Sequence, residues 1–257
     1  MKEWTFIKYE EKGKIVVISL NNPPLNVINE TMADELEQAW IRFRDDNNVW
    51  VAIITGVGER AFSAGYDIRE LLDSEGKVML SPPLRYVVPT ANNVWKPTIA
   101  AINGHCCALG FWVALDCDFK IATEDADFSI PEGRLNVLPI FASLLSHYLP
   151  PPVALEILLL YEQIDARRAL RLNLVNDVVP KKELMPTAMA MAEKLCQAGG
   201  PLVTRWIKEL FYRGMELPFD QAWAIMKYMR ELSGKLEDSN EGIKAFMQKR
   251  KPEWKAR

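Results

Sequence analysis

The sequence predicts an α/β fold with parallel strand pairing, closed by an all-helical tail. Three observations carry the prediction. Short apolar, β-rich runs alternate with amphipathic stretches up to about residue 150, and strands separated by helices pair in parallel through right-handed crossovers. The runs at 49–55 and 98–102 are almost continuously apolar, as strands covered on both faces are. Beyond residue 150 helical periodicity dominates, broken by one strand-like stretch at 175–179.

Taken in order, residues 6–10 and 15–20 read as strands, with Lys12-Gly13 as the turn between them. Asn21-Asn22-Pro23-Pro24-Leu25-Asn26 is a loop by its Asn and Pro content. A helix follows from about Asn29. Met32, Leu36, Trp40 and Phe43 recur near the 3.6-residue period, which makes one face apolar, and Asp45-Asp46-Asn47-Asn48 ends it. Asp67 and Glu70 form an Asp-x-x-Glu capping pattern that starts a short helix after the Ala64-Gly65 turn. Residues 73–83, polar with a Gly and two prolines, read as a mobile surface loop. A helix before Lys96 leads into the strand at 98–102, a helix at 108–115 and a strand at 119–122. Helical stretches follow at 155–160, 165–172, 181–197, 201–213, 219–233 and 240–250. The sequence carries no repeat of fixed period and no low-complexity tract.

Composition narrows the function. The 257 residues are 49% hydrophobic and 25% charged, with a net charge of −3. No large basic field argues for nucleic acid, and no apolar run is long enough for a membrane span. Met1-Lys2-Glu3-Trp4 leads straight into a strand pattern rather than a signal peptide, so a cytoplasmic location is expected. The four cysteines form no CxxC pair; reduced, buried thiols are expected, with no metal site and no separate cofactor.

The chemistry is concentrated in two strand–turn–helix units. One is Ala61-Phe62-Ser63-Ala64-Gly65-Tyr66-Asp67, after the apolar run at 51–54. The other is Lys96-Pro97-Thr98-Ile99-Ala100-Ala101-Ile102-Asn103-Gly104, running on through Gly110 to Cys117-Asp118. Each presents backbone N–H groups where a helix begins, and two such donors make an oxyanion hole. Glu132 follows Pro131 at the end of a strand-like run. A carboxylate there, among apolar walls, is a candidate proton shuttle with a raised pKa. His105 lies near the second turn with no acid partner at an obvious spacing and reads as structural. Ser143 and His147 are four apart, but no Gly-x-Ser-x-Gly elbow accompanies them.

Seven motifs in order resemble the crotonase (enoyl-CoA hydratase/isomerase) superfamily over nearly the whole chain. They are Asn22-Pro23-Pro24-Leu25-Asn26-Val27, residues 61–68, residues 96–104, Cys117-Asp118, Ala126-Asp127-Phe128-Ser129-Ile130-Pro131-Glu132, residues 172–180 and residues 241–252. The resemblance implies a spiral of ββα units as a core domain (1–195) and a helical C-terminal trimerisation region (196–257). It further implies a homotrimer or dimer of trimers acting on acyl-CoA thioesters, with coenzyme A as part of the substrate. Carried over by position, the oxyanion donors are Ala64 and Leu109, and Glu132 is one of two hydratase glutamates. Trp112 stands where the other would be, and Ala108-Leu109-Gly110 replaces a common Gly-Gly-Gly run. With one carboxylate, a double-bond shift or single-base hydration is the expected chemistry; the alternative is a catalytically silent homologue that binds CoA thioesters. Ala61, Gly65, Tyr66, Asp67, Trp112 and Ile140 are expected to contact substrate. Tyr66, Trp112, Ile140 and Phe141 together suggest an acyl pocket for a ring. Phe246 and Lys249 match positions that help hold CoA, sometimes from a neighbouring subunit.

Overall fold

Near-continuous burial along residues 15–20, beside a mostly exposed first strand, sets the centre of the molecule. The computed structural model describes residues 4–72, 76–77 and 84–257, the side chains at 84 and 85 excepted. The strands β1 (Ile7–Lys12) and β2 (Ile15–Leu20) form an antiparallel hairpin. Its turn is one residue later than expected, at residues 13–14, because Gly13 adopts φ +64° and Lys12 still pairs with Ile15. In α1 (Glu30–Asp45), Asn29 caps the helix by accepting from Met32 N at 2.8 Å, and Met32, Leu36, Ala39, Trp40 and Phe43 are buried. The buried Glu35 accepts from the amides of Thr5, Phe6 and Ile7 at 2.6–3.1 Å, which moors the start of β1 on this helix.

The rest of the core repeats one plan. β3 (Val51–Gly56) is followed by β4 (Ala61–Ser63), β5 (Thr98–Ile102) by β6 (His105–Cys107) and α2 (Leu109–Leu115), and β7 (Phe119–Thr123) by β8 (Asp127–Ser129). Then come α3 (Leu145–Tyr148), α4 (Pro151–Leu159), β9 (Ile164–Asp165), α5 (Ala166–Arg171) and β10 (Asp177–Val179). Each of the three strand pairs gives one strand to each of two sheets. The six-stranded sheet has the order β1-β2-β3-β5-β7-β10, parallel from β2 onward; the four-stranded sheet has the order β4-β6-β8-β9. The strand pairs begin at Val51, Thr98 and Phe119. Those unequal intervals explain why a spiral of repeating units leaves no fixed period in the sequence.

Period-two geometry divides the large sheet. Val16, Ile18, Leu20, Ala52, Ile54, Ala100 and Ile102 face the main core with α1 and α2. Ile15, Val17, Val51, Ile53, Ile99, Ala101 and Ile121 face the opposite side. There α6 (Leu184–Ala198) covers them with Leu184, Ala188 and Ala192. The expected 195/196 division runs through the last turn of this helix. The helices α7 (Pro201–Glu216), α8 (Phe219–Ser233) and α9 (Asp238–Met247) complete the tail. The buried Lys208 of α7 joins the tail to the core. Its Nζ donates to Lys96 O at 3.0 Å and pairs with Asp118 at 2.8 Å, while Asp118 also accepts from Thr98 N.

Two local expectations are corrected. The stretch before Lys96 is not a helix but two short 3-10 turns, Leu84–Val87 and Thr90–Asn92, with Pro89 between them and Asn93 at φ +56° ending the second. The loop expected over 73–83 lies outside the described residues except at 76–77.

Candidate functional site

The parallel strands β4, β6 and β8 end side by side, so the chain leaves the small sheet at 64–66, 108–109 and 130–132 along one edge. Ligands of α/β sheets bind beyond such carboxyl ends. At the opposite ends, His105 Nδ1 is joined to Asp127 Oδ2. The acid partner absent from the sequence neighbourhood is thus supplied across the sheet, away from this edge.

The first exit corrects the expected oxyanion pair. The Asn26 loop runs beside it as a short strand: Ala64 N donates to Leu25 O at 2.9 Å, Ile28 N to Gly65 O at 2.8 Å and Asp67 N to Ile28 O at 2.9 Å. Ala64 therefore has no free N–H. Alternation of an extended chain turns the Tyr66 N–H to the other side, where it meets no acceptor among the described residues. Gly65 Cα bears φ +97°, and a Cβ there would stand 2.6 Å from Ala108 Cβ and 3.4 Å from Leu109 N. Only glycine lets this turn lie against the start of α2.

The second exit supplies the partner. Ala108 is held at φ +53°, ψ −126°, a region that side chains avoid. Its own N–H donates to Ser129 O at 2.9 Å. After the kink, Leu109 N–H, the first amide of α2, is also without an acceptor among the described residues. Because α2 has seven residues, the N–H group itself, rather than a long helix dipole, is the donor. The amides without an acceptor at this edge are thus those of Tyr66 and Leu109, whereas that of Ala64 is engaged.

The third exit brings Glu132, at the start of the 3-10 turn Glu132–Leu135. Its Oε2 is buried with no hydrogen-bond partner. Burial raises its pKa from 4.5 to about 7, opposed weakly by its own backbone N–H. The charge of Glu132 is also felt at the Cys107 thiol, which burial raises first of all; the carboxylate therefore lies near the end of β6.

Trp112 is one helical turn beyond Leu109 and 9% exposed. Its ring stacks on Phe141 at 5.7 Å and 13°, and its Nε1 is buried without a partner. Phe141, not Ile140, closes this side: Phe141 is 2% exposed and Ile140 62%. The Tyr66 hydroxyl, pushed up to about 12 by burial and then by Glu70 and Glu30, stays neutral.

Two expected contact residues also hold partners within the fold. Ala61 is fully buried, and its carbonyl accepts from Asn26 Nδ2 at 2.8 Å and Asn103 Nδ2 at 3.3 Å. Asp67 accepts from Arg69 N and Nε at 3.1 and 2.8 Å and caps the turn Ile68–Leu71. Glu70 does not complete a capping box; it accepts from Glu30 N at the start of α1. Phe246 is 86% exposed on α9. Among the described residues, no hydrogen bond, ion pair or ring contact links Phe246 or Lys249 to the Glu132 edge. Sequence reasoning missed the Tyr66 N–H because its orientation depends on pairing between residues 25–28 and 64–67. The one available signal was Gly65 immediately before it.

Comparison with known proteins agrees with this fold. A sequence model of the enoyl-CoA hydratase/isomerase family matches residues 10–257. A carnitinyl-CoA dehydratase of Citrobacter koseri is 34% identical over 263 residues, covering 98% of each chain. The carnitinyl-CoA dehydratase of Escherichia coli K12 is 35% identical over 257 residues, covering 95% of this chain and 96% of its own. The crystal structure of an enoyl-CoA hydratase/isomerase from Mycobacterium paratuberculosis superposes with a TM-score of 0.90 at 30% identity, covering 99% of this chain and all of that one.

Proposed function

The chain belongs to the enoyl-CoA hydratase/isomerase family, and from that premise we propose that it acts on an acyl-CoA thioester through an enolate. The thioester oxygen accepts from Tyr66 N–H and Leu109 N–H, and Glu132 moves the proton at the neighbouring carbon. Removing that proton places negative charge on the thioester oxygen. Two preorganised donors act where the charge grows, each contributing on the order of 3 kcal/mol. The observation that carries the reading is Glu132: a half-buried carboxyl whose buried Oε2 has no partner and whose pKa is about 7, at the same sheet edge as two unpaired amides. A base poised near neutrality accepts and returns a proton with little driving force lost. Water removal or addition is favoured over a double-bond shift by the dehydratase names of the relatives.

Glu132→Gln should lower turnover by about 10²-fold or more; a wild-type rate in that variant overturns the role. Acyl-CoA binding by the native protein, with neither turnover nor exchange of the α-proton, would instead make it a silent CoA-thioester-binding homologue.

The proposal extends to assembly. Ile207, Phe211 and Met215 form an exposed i, i+4, i+8 stripe on α7, and Phe219 stacks on Trp223 at 5.9 Å on α8, both largely exposed. Such a surface is covered in a homotrimer or dimer of trimers. In that assembly Phe246 and Lys249 hold the CoA of a neighbouring subunit, consistent with their exposure here. Four unpaired cysteines fit a reducing, cytoplasmic setting. No helix among the described residues is long and apolar enough to cross a membrane.

A further inference from the structure

The indole of Trp112 is held in place and left unanswered. The residue is nine-tenths buried, its ring is fixed against Phe141, and its Nε1–H meets no acceptor among the described residues. A buried donor with no acceptor is costly, and native proteins rarely keep one unless something else supplies the acceptor. Trp112 cannot supply a proton or accept one at neutral pH; its N–H only donates. The missing partner is therefore an oxygen that comes and goes.

Position narrows which oxygen. Leu109 and Trp112 are three residues apart on α2, about 4.5 Å along the axis and on neighbouring faces. Helical side chains lean back toward the N-terminus, so the indole leans toward the Leu109 amide. A thioester oxygen on that amide puts the β-carbon of the acyl group within a few bonds of the same face. Of the other buried unpaired side-chain atoms at this edge, the Tyr66 hydroxyl and Glu132 Oε2, Glu132 is the proton carrier.

We propose that Trp112 is a catalytic residue whose indole N–H holds the oxygen that leaves or enters at the β-carbon of the acyl group. The assignment rests on the enolate reading above and decides its outcome in favour of dehydration and hydration. In the dehydrating direction, Glu132 takes the α-proton and the freed electron pair moves into the thioester as the enolate. The pair then returns to form the α–β double bond as the β-carbon–oxygen bond breaks. The departing oxygen takes the proton back from Glu132 while accepting a hydrogen bond from Trp112, leaving an enoyl thioester and water. Hydration is the reverse. No oxidant, metal or second carboxylate enters the balance.

The test separates the two layers. Butyryl-CoA, which has no β-oxygen, reports enolate formation by exchange of its α-protons in heavy water. 3-Hydroxybutyryl-CoA and carnitinyl-CoA report water loss. Trp112→Phe keeps an aromatic ring against Phe141 and deletes the N–H. It should leave exchange within about threefold of wild type and slow dehydration about 10- to 100-fold, the worth of one buried hydrogen bond. Dehydration at the wild-type rate in Trp112→Phe overturns the assignment, since the indole would then serve only a resident water. Wild-type protein that exchanges butyryl-CoA but dehydrates neither hydroxyacyl probe also overturns it. Loss of exchange in Trp112→Phe signals a disturbed fold; replacing Trp112 with 3-benzothienylalanine, which swaps N–H for sulfur in the same shape, then gives the same two readings. Absence of exchange in the wild type defeats the enolate reading itself, and the assignment with it.

Discussion

Glu132 ties activity to stability. Its folded pKa of about 7 exceeds the ordinary 4.5 because burial disfavours the charged form. The sign follows from linkage: the native state prefers the protonated group, so its contribution is fully present below about pH 4.5 and is lost as pH rises through about 7. Glu132→Gln, neutral at every pH, should match the wild type in melting temperature at pH 4 and exceed it at pH 8, by thermal unfolding across that range. A gap that fails to open with pH would mean the carboxylate is solvated. The same group should place an inflection near pH 7 in kcat/KM. The amide donors can be tested as directly: an amide-to-ester exchange at Leu109 deletes one N–H and keeps the side chain. It should lower kcat by about 10²- to 10³-fold, whereas the same exchange at Ala64 should leave kcat nearly unchanged, because that N–H serves Leu25.

The turns that aim these groups carry the strain of the site. Ala108 occupies positive φ with a side chain, at a cost of about 1–3 kcal/mol. Ala108→Gly should therefore be neutral or stabilising in denaturant unfolding, against the usual loss of roughly 0.5–1 kcal/mol for such a change in regular structure. Gly65→Ala is the opposite case. The new Cβ meets Ala108 Cβ at 2.6 Å and Cys107 O at 3.2 Å at φ +97°, so stability should fall by roughly 1–3 kcal/mol and turnover with it. Equal stability in both variants would show that the two turns are not pressed together.

Across the whole molecule, the C-terminal helices are joined to the sheet by a buried charge pair. Lys208 and Asp118 are 7% and 14% exposed at their side chains and 2.8 Å apart, and Tyr212 adds a third contact to Asp118 at 3.2 Å. Lys208→Ala leaves a buried carboxylate unpaired and should cost about 3–5 kcal/mol. Sedimentation velocity tests the apolar faces of α7 and α8: Phe211→Glu with Trp223→Glu should yield monomers if copies of the chain cover one another there. An unchanged sedimentation coefficient would assign those faces another role.

The sequence by itself determined the class, the order of the elements and the chemical type of the site. Strand and helix periodicities placed α1, β5, α2 and α8 nearly residue for residue, because each follows a local apolar pattern that neighbours in the chain already spell out, buried in α1, β5 and α2 and left exposed on α8. Glu132 was legible because a carboxylate between apolar stretches is unusual wherever it falls. Tertiary structure alone decided which amides are free. Leu25 reaches Ala64 from 39 positions upstream in a pairing no local pattern encodes, and the choice passes to Tyr66. It likewise decided that Phe141 rather than Ile140 meets Trp112 and that Asp127 answers His105. Hydrogen-bond partners distant in sequence are set by how strands stack in space, and that arrangement is fixed only when the whole core packs.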